Sequence, residues 1–492
     1  MPMTAVLSVV LTQVVEHPFY IFFELVFAAA LTILLLQTYG KKKKKNKSKE
    51  VAVEMPSLEE QERRIAQYRS QMFRDGSKPT SNTVVPNGLG MTEVDSRDGC
   101  HITVRDGRGG SSRRCLDLAT EDFHSFSTHP AVVEVARNAV MAYGVGSCGP
   151  RGFYGTIKPH MDAEKDIAKF LNVDDAIIYS FSSTTVATLI SCYAGRGEHL
   201  IMDDGVHLAI ADGCTLSRAN VGKYRHNDMA QLETLLKDVA AKEIEAKKIS
   251  RRFVVTEGLF KSTGDICNLP KILELCEKYK FRIILEDSYG FGCLGATGRG
   301  THEHFGIPTS RIDVYVGSLS TALGAVGGFC AGEKSMIDYQ RLGASAYVFS
   351  ASLPPYVTSA ASAALTLLDE DNSYPRKVRD NAKFFRQALR QANFNAEKIR
   401  MMECEGDMSP IVVLRPTDAY VRDHPQKVEE EIEQVVRAAR EKDVLVLRHI
   451  YDTEEKCEHF PALRILIKGK AAKEDLQNAV TVIIEAVKTV FP

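Results

Sequence analysis

Short apolar runs separated by helical segments dominate the chain from about residue 131 to residue 351. These runs are AIIYS, HLIMD, FVVTE, RIILED, DVYVG and GFCAG, which begin at Ala176, His199, Phe253, Arg282, Asp313 and Gly328. Apolar runs of this length that alternate with helices predict a mostly parallel sheet with helices on both faces. After Tyr356, two long helical stretches, three strands and a terminal amphipathic helix predict a smaller α+β domain. The pattern therefore predicts an α/β protein with a large and a small domain.

The amino terminus is much more apolar than the rest of the chain. The stretch Phe19–Leu36 contains a single charged residue, Glu24, and as a helix it would be about 27 Å long, roughly the hydrocarbon thickness of a bilayer. The run KKKKKNKSK begins at Lys41, and no Lys or Arg precedes it. The positive-inside rule then places the amino terminus outside the cytosol and the body of the chain inside it. A buried core helix followed by a solvated lysine run is the alternative.

Changes in composition divide the chain into four regions. We predict a membrane segment at residues 1–40, with a transmembrane helix at about 19–36. A basic linker and an amphipathic helix follow at residues 41–95, because Ser57 and Glu60 form a capping box ahead of a helical apolar face. The runs HITV and CLDL around the turn RDGRGG predict a hairpin that enters the large domain. The large domain is placed at residues 96–355 and the small domain at residues 356–492.

Composition and charge exclude some functions. Charged residues make up 25% and hydrophobic residues 44% of the chain, and the formal net charge is −1. These are ordinary values for a globular protein, and they provide no basic field that would attract nucleic acid. The 11 cysteines are scattered without CxxC pairs, which predicts reduced thiols in a cytosolic body and no metal site.

The residues that follow the predicted strands carry the candidate chemistry, because ligands of such sheets bind at the carboxyl ends of the strands. The strand exits read HLAIADG, EGLFKSTGD, EDSYGFGCLGATGRG and GSLSTALGAVGG. Acid, aromatic, hydroxyl and glycine residues together are what a phosphorylated heterocycle requires, although no Lys or Arg occurs from Ile312 to Glu333. The purely structural alternatives are that His207 caps a helix, that Glu286 is an ion-pair partner and that the glycines only turn the chain.

Longer motifs resemble the α-oxoamine synthase family of fold-type I pyridoxal-phosphate (PLP) enzymes. The resemblance covers the chain from about Asp95 onward and is carried by YGVGSCGPRGFYGT, VTEGLFKSTGDICNLPKI, GFGCLGATGRG, YVFSASLPP and the late strand ALRILI. Members of this family condense an amino acid with an acyl-CoA and lose carbon dioxide. The resemblance implies a large, mostly parallel seven-stranded sheet domain, a small carboxyl-terminal domain and PLP as the cofactor.

The resemblance also identifies a missing nucleophile. The family lysine that forms the Schiff base aligns with Thr321, and a threonine hydroxyl cannot form an imine. Other positions that contact the cofactor in the family also hold different residues in this chain, namely Glu286, Tyr289, Ser182, Ser183 and Lys261. His207, at the ring-stacking position, and Arg464, at the substrate-carboxylate position, are as the family has them. The stretch EDFHSF, which begins at Glu121, departs from the usual Asn-Tyr-Leu-Gly pattern, so the resemblance assigns no role there.

Further positions are implied to face a partner subunit, because family members are dimers whose active sites lie at the interface. Ser350, Ala351 and Ser352 would approach the cofactor phosphate of the other subunit. Cys148, Gly149 and Arg151 would lie in the interface. For Cys148, the equally weighted alternative is a small buried residue with no role in the interface.

Within the family, the motifs are most similar to the noncatalytic subunit of the members that condense L-serine with palmitoyl-CoA to 3-ketosphinganine, the first step of sphingolipid synthesis. The resemblance implies a heterodimer whose lysine-bearing catalytic subunit holds PLP, with small membrane regulatory subunits as further partners. It also implies a single-pass protein of the endoplasmic reticulum membrane with a lumenal amino terminus. Two alternatives remain: a self-sufficient PLP enzyme that uses a relocated lysine, with Lys261 the nearest candidate, and a membrane scaffold that does not contact the active site.

Overall fold

The computed structural model describes residues 92–106, 110–247, 249–425, 427–449 and 460–492, together with Thr32 and Ser57. Nearly all of the predicted transmembrane helix, linker and amphipathic helix lies outside these residues. Among the residues that the structure describes, no helix is both long enough and apolar enough to cross a bilayer. The described residues from Thr92 to Pro492 belong to one compact unit.

Strands and helices alternate through the first two thirds of the described chain. The strands are β1 Thr92–Asp98, β2 His101–Asp106, β3 Ser112–Asp117, β4 Asp175–Tyr179, β5 His199–Asp203, β6 Asn220–Tyr224, β7 Arg252–Glu257, β8 Arg282–Glu286, β9 Val314–Ser318, β10 Gly328–Gly332, β11 Ile399–Met401, β12 Ile411–Pro416, β13 Val444–Leu445, β14 Leu447–Arg448 and β15 Leu463–Leu466. The α-helices are α1 Pro130–Tyr143, α2 Lys158–Leu171, α3 Ser182–Tyr193, α4 Leu208–Ser217, α5 Met229–Glu245, α6 Leu269–Tyr279, α7 Thr301–His304, α8 Lys334–Gly343, α9 Ser345–Val348, α10 Pro355–Glu370, α11 Ser373–Arg390, α12 Asp418–Asp423, α13 Val428–Glu441 and α14 Lys473–Val490. Three short 3-10 helices lie at Phe126–Thr128, Thr309–Arg311 and Glu405–Asp407.

The central sheet has seven strands in the order β4-β10-β9-β8-β7-β5-β6. Strands β6, β5, β7, β8 and β9 pair in parallel, whereas β10 is antiparallel to both of its neighbours. The six apolar runs predicted from the sequence all contain strands of this sheet. The seventh strand, β6, lies at the edge and is largely exposed, which is why its sequence NVGKY shows no apolar run. The mostly parallel seven-stranded sheet is therefore confirmed.

Two further sheets, each of four strands, have the orders β1-β2-β3-β13 and β11-β12-β15-β14. The predicted hairpin forms β2 and β3, but β3 continues in parallel pairing with β13 from the carboxyl-terminal region. Leu116 and Leu118 at this hairpin share a hydrophobic core with Phe385 and Ile465. The hairpin thus packs with the carboxyl-terminal segment, whereas the sequence pattern led us to expect it within the large domain.

The core of the large sheet extends beyond the predicted boundary at residue 355. Ala361, Ala364 and Leu368 of α10 are buried in the same cluster as the strands β4 and β8. The composition changes near Tyr356 because a long helix begins there, but that helix packs against the large sheet. The boundaries 96–355 and 356–492 themselves stay a prediction.

The motif YRHNDM, which begins at Tyr224, joins the ends of several elements. The Asp228 carboxylate accepts the N–H of Gln231 at 2.9 Å and so caps α5. The His226 ring lies between two carboxylates: its Nδ1 is 2.9 Å from Asp203 at the end of β5, and its Nε2 is 3.0 Å from Asp265. The motif therefore ties the loop between β7 and α6 to the central sheet.

Candidate functional site

A pocket lies where the parallel strands end, as the strand exits predict. Its empty volume is about 460 Å³, part of which is open to solvent. The lining residues are Glu121, Ser182, Ser183, His207, Lys261, Glu286, Ser288, Tyr289, Ser318, Ser320 and Thr321. The structure therefore brings together the pocket positions that the resemblance assigned to cofactor contact, although they are spread from Ser182 to Thr321 in the sequence.

Thr321 lies just after β9 and is buried, with 2% of its surface exposed. Its hydroxyl donates a hydrogen bond of 2.5 Å to the carbonyl oxygen of Ser288. The hydroxyl of Ser182 lies 2.7 Å from that of Ser318 and donates to the carbonyl oxygen of Gly327 at 2.8 Å. These hydroxyl groups are thus engaged with the chain itself.

The residues present do not fit a covalently attached PLP. The side chain at the predicted Schiff-base position is an alcohol that is already bonded to a backbone carbonyl, and an alcohol forms no imine. The serines nearby are bonded to one another and to the backbone. We therefore derive no chemical step through PLP on this chain.

His207 and Glu286 line the pocket, and the carboxylate of Glu257 is buried beside them. Glu257 and Glu286 are directly paired residues of the neighbouring strands β7 and β8. The Nε2 of His207 lies 3.5 Å from Oε2 of Glu286, while its Nδ1 accepts the N–H of Ala209 at 3.2 Å and caps α4. Both structural alternatives from the sequence, a helix-capping His207 and an ion-paired Glu286, are therefore realised. Whether either residue still contacts a cofactor stays a prediction.

Burial and neighbouring charges shift the pKa of Glu257 and the pKa of His207. Burial, together with the nearby Glu286 carboxylate, raises the pKa of Glu257 to about 7, although His207 opposes the shift. Burial lowers the pKa of His207, but Glu257 and Glu286 more than compensate, so the net pKa of the ring is raised. Potential ligand atoms of these three residues lie within 4.8 Å of one another. Both oxygens of Glu257 already accept backbone N–H groups, from His207 at 2.6 Å and Lys261 at 2.9 Å. The expectation of no metal stays a prediction.

Arg464 is buried beside the pocket and has an ion-pair partner within the chain. Its Nη2 lies 3.3 Å from Oε1 of Glu121, and the Tyr289 hydroxyl donates to the same oxygen at 2.5 Å. The guanidinium also lies over the Tyr289 ring, 5.4 Å from its centroid. Burial would raise the pKa of Glu121, but Arg464 and Lys261 outweigh it, so the net pKa of this carboxyl is lowered. The predicted substrate-carboxylate arginine thus faces a carboxylate of its own chain.

The two groups of predicted partner-facing residues lie next to each other. The backbone N–H of Ser352 donates to the carbonyl oxygen of Gly149 at 2.9 Å, and the Ser352 hydroxyl donates to the same oxygen at 3.0 Å. The hydroxyl of Ser180 donates to the carbonyl oxygen of Ala351 at 2.5 Å, while the Ser350 hydroxyl donates to Ala346. The segments that contain Cys148 and Ser350 therefore form one joined surface, and their roles toward a partner stay a prediction.

Within this surface, the described geometry distinguishes the named residues. Cys148 is exposed and has a positive φ of 63°, so the alternative of a small buried residue is wrong. The backbone approaches itself closely at Gly149 and Gly155, because a Cβ on Gly155 would lie 1.8 Å from the Gly149 carbonyl oxygen. Arg151 points inward and forms a bidentate pair with Glu164 at 2.7 and 2.9 Å.

Sequence reasoning missed Glu121, Glu257 and Ser288 as parts of the site. Glu257 ends the apolar run FVVTE and Ser288 follows RIILED, so both could have been found by counting every polar strand exit. The signal for Glu121 was the departure of EDFHSF from the family pattern. Its pairing with Arg464, 343 positions away, had no signal in the sequence.

Comparison with known proteins identifies relatives of this chain. The family model described as aminotransferase class I and II matches residues 113–483. Long chain base biosynthesis protein 1 of Arabidopsis thaliana is 35% identical over 78% of this chain and 77% of its own length. Serine palmitoyltransferase 1 of Dictyostelium discoideum is 33% identical over 80% and 81% respectively. Across five such relatives, the matched stretch spans 58–81% of the relative's length.

A solved structure shares the fold. The serine palmitoyltransferase of S. paucimobilis with a bound PLP–myriocin aldimine superposes with a TM-score of 0.73 and covers 89% of this chain and 99% of its own. The sequence identity between the two is 23%. The chain belongs to the aminotransferase class I and II family and, within it, is a homologue of the proteins named serine palmitoyltransferase 1 and long chain base biosynthesis protein 1.

Proposed function

We propose that this chain is the noncatalytic but required subunit of serine palmitoyltransferase, which condenses L-serine with palmitoyl-CoA to 3-ketosphinganine, carbon dioxide and free CoA. The observation that carries the proposal is Thr321, which aligns with the Schiff-base lysine and whose hydroxyl is bonded to the Ser288 carbonyl. A relative named serine palmitoyltransferase 1 and a fold shared with a serine palmitoyltransferase support the reaction. The noncatalytic role is our inference from the pocket.

A homologous subunit that carries the lysine then supplies the chemistry. That partner holds PLP, which when bound stabilises the carbanion formed from serine. In the heterodimer, residues 350–352 of this chain would form a wall of the partner's site. The hydroxyl groups of Ser350 and Ser352, which in the isolated chain donate to the carbonyl oxygens of Ala346 and Gly149, would turn to the cofactor phosphate, and Ala351 would offer a backbone N–H. Gly149 supports this wall because its carbonyl oxygen anchors Ser352.

Exposed apolar side chains support a heterodimer. Val145, Phe153, Tyr154 and Phe349, which lie in or next to the two joined segments, have 74%, 61%, 103% and 81% of their surface exposed. We call these four residues the apolar face. Large apolar groups gathered on one surface mark interaction sites in soluble domains, and a second subunit of the same fold would cover them.

Membrane attachment completes the proposal. The apolar stretch 19–36 and the lysine run that follows anchor the chain in the endoplasmic reticulum membrane with its amino terminus in the lumen and its body in the cytosol. Small membrane subunits that regulate the enzyme would bind near this anchor. The anchor keeps the complex at the membrane that receives its lipid product.

One experiment tests which of the two subunits holds PLP. The full chain is co-expressed with a lysine-bearing homologue, and the purified complex is treated with borohydride and mapped by mass spectrometry. We expect one reduced PLP adduct per heterodimer, on the partner's lysine, and we expect that Lys261→Met in this chain leaves it unchanged. A stoichiometric adduct on Lys261, or visible cofactor absorbance of this chain purified alone, would establish the self-sufficient enzyme instead. Lys261 is the observation that favours this second candidate, because it is the one lysine among the residues that line the pocket.

A second experiment distinguishes a subunit that contacts the partner's active site from a scaffold that does not. In the co-expressed heterodimer, we expect Ser350→Ala combined with Ser352→Ala to lower PLP affinity and turnover. Ser335→Ala is the matched control, because Ser335 is exposed in the first turn of α8 and its hydroxyl donates to the carboxylate of Glu333. Unchanged PLP affinity and turnover in the double variant would favour a scaffold that does not contact the site.

A further inference from the structure

We propose that Glu121 is a built-in carboxylate ligand that occupies the anion-binding site of this chain's own pocket and keeps it closed to external carboxylates. The site consists of Arg464, Tyr289 and Lys261. Their arrangement is that of a receptor for a small carboxylate, and the chain supplies the carboxylate itself. This inference concerns the pocket of this chain alone and does not depend on the proposed heterodimer.

The contacts are those of a bound carboxylate. One oxygen of Glu121 accepts both the Tyr289 hydroxyl, at 2.5 Å, and the Arg464 Nη2, at 3.3 Å. Arg464 is 9% exposed and its Nε has no hydrogen-bond partner among the described residues. A buried guanidinium with a free donor is costly unless an anion neutralises it, and Glu121 is the carboxylate that does so.

The electrostatics of the pocket favour an anion at this point. Arg464 and Lys261 both hold the pKa of Glu121 below its usual range, despite the opposing effect of burial. Lys261 lines the same pocket, so removal of the Glu121 charge would leave two cationic side chains beside one cavity. A small aliphatic carboxylate matches the space and the charge that the Glu121 side chain now provides.

The backbone around Glu121 is held in place on both sides, as a built-in ligand requires. The Lys468 ammonium donates to the carbonyl oxygens of Thr120 and Asp122, the latter at 3.2 Å. The Asp122 carboxylate in turn accepts the N–H groups of Phe126 at 2.9 Å and Ser127 at 3.1 Å. Glu121 therefore extends toward Arg464 from a loop that is anchored independently of the pocket.

The test is rescue by a soluble carboxylate. Full-length Glu121→Ala is melted in increasing sodium acetate at constant ionic strength, with chloride as the balancing anion. We expect the melting temperature of the variant to lie below that of the wild type and to rise by about 1–2 °C when the acetate concentration reaches about ten times the Kd for acetate. A shift of this size is what ligand binding produces in a chain of this length. The wild type should not respond, because its own carboxylate occupies the site.

Two controls decide between this site and general salt effects. In Glu121→Ala combined with Arg464→Gln the acetate response should disappear, and methylammonium chloride should stabilise neither variant. A folded Glu121→Ala that ignores acetate, or an equal acetate response in the wild type or in the double variant, overturns the proposal. Should Glu121→Ala fail to fold, Glu121→Ser takes its place, since a serine hydroxyl can still accept a hydrogen bond while the site stays open.

Discussion

The pocket and the apolar face use their side chains in opposite ways. In the pocket, Thr321 is hydrogen-bonded to Ser288 and Glu121 is ion-paired with Arg464, so groups that could bind a ligand bind other residues of the chain instead. On the apolar face, Phe153 and Tyr154 project into solvent next to a turn that is packed without spare room. Both regions belong to the same fold. The polar groups of the pocket are largely hydrogen-bonded within the chain, whereas the side chains of the apolar face are largely exposed in the part of the chain that the structure describes.

This difference indicates where function resides. A pocket whose polar groups are paired internally contributes stability and shape, whereas an exposed apolar surface gains free energy only when another molecule covers it. The predictions below alter one side of the comparison at a time. They begin with the internal bonds, where effects on stability should be largest, and end at the face, where effects on assembly should appear alone.

The largest effect should come from His226, which anchors the loop behind the pocket. Burial lowers the pKa of this ring, but Asp203 and Asp265 outweigh it and raise the pKa to about 10. A proton bound more tightly in the folded state stabilises the fold below the ordinary histidine pKa of about 6.5, and this contribution is lost as the pH rises through 10. We expect the free energy of unfolding of the wild type, relative to His226→Gln, to fall by up to about 5 kcal/mol between pH 6 and pH 10.

Denaturant titrations at several pH values measure this difference. His226→Gln is its own control, because its stability should lack the component that follows the histidine. If the free energy of unfolding changes with pH in the same way for the wild type and for His226→Gln, the ring does not hold its proton between the two aspartates. The contact of this loop with the central sheet would then contribute less to stability than we expect.

The next effect should come from the buried pair beneath the apolar face. Arg151 and Glu164 are 7% and 9% exposed, and Glu164 also accepts the N–H of Ile178 at 3.1 Å. Arg151→Met leaves a buried carboxylate without its cation, so we expect a loss of about 4 kcal/mol in the free energy of unfolding. Arg137→Met is the matched control, because its pair with Glu134 is exposed and should contribute less than about 1 kcal/mol. Equal losses in both variants would contradict an internal role for Arg151.

A smaller loss is expected at the tight turn of the face. A Cβ at Gly155 would lie 1.8 Å from the Gly149 carbonyl oxygen, whereas a Cβ at Gly152 would meet nothing within 4 Å. Gly155→Ala should therefore cost about 3 kcal/mol through overpacking and should also move the Gly149 carbonyl that holds Ser352. Thermal melting and pull-down of the catalytic partner provide the two measurements. Gly152→Ala should be neutral in both, and a tolerated Gly155→Ala would show that this turn is not rigid.

The smallest effect should be confined to assembly. Tyr154→Ala removes a fully exposed ring from the apolar face, so the melting temperature of the isolated chain should not change. In the heterodimer we expect about thirtyfold weaker association, or about 2 kcal/mol, as for an interfacial aromatic anchor. Ile249→Ala is the control, because Ile249 is 96% exposed but precedes β7 at the opposite end of the strand from the pocket. If both variants associate equally well, the apolar face is not the dimer interface.

Much of the fold follows from local patterns. Strands that are buried on both faces are apolar on both faces, so six strands of the central sheet form continuous apolar runs in the sequence. The edge strand β6 did not, because its side chains are exposed and mixed in character. The apolar run VLVL at residues 444–447 has the pattern of a single strand, but it is divided between two sheets at Val444–Leu445 and Leu447–Arg448. Sheet membership depends on distant partners, and no local pattern records it.

The same limit applies to the candidate site. The sequence by itself determined that the chain has a PLP-transferase frame, that no lysine stands at Thr321 and that His207, Glu286 and Lys261 lie at or just after the ends of predicted strands. Only the tertiary structure decided what these groups bind: that Thr321 donates to Ser288, that Arg464 pairs with Glu121 and that Cys148 is exposed while Arg151 is not. The physical reason is that residue identity limits the chemistry available at a position, whereas pairing and burial arise from contacts between segments hundreds of residues apart.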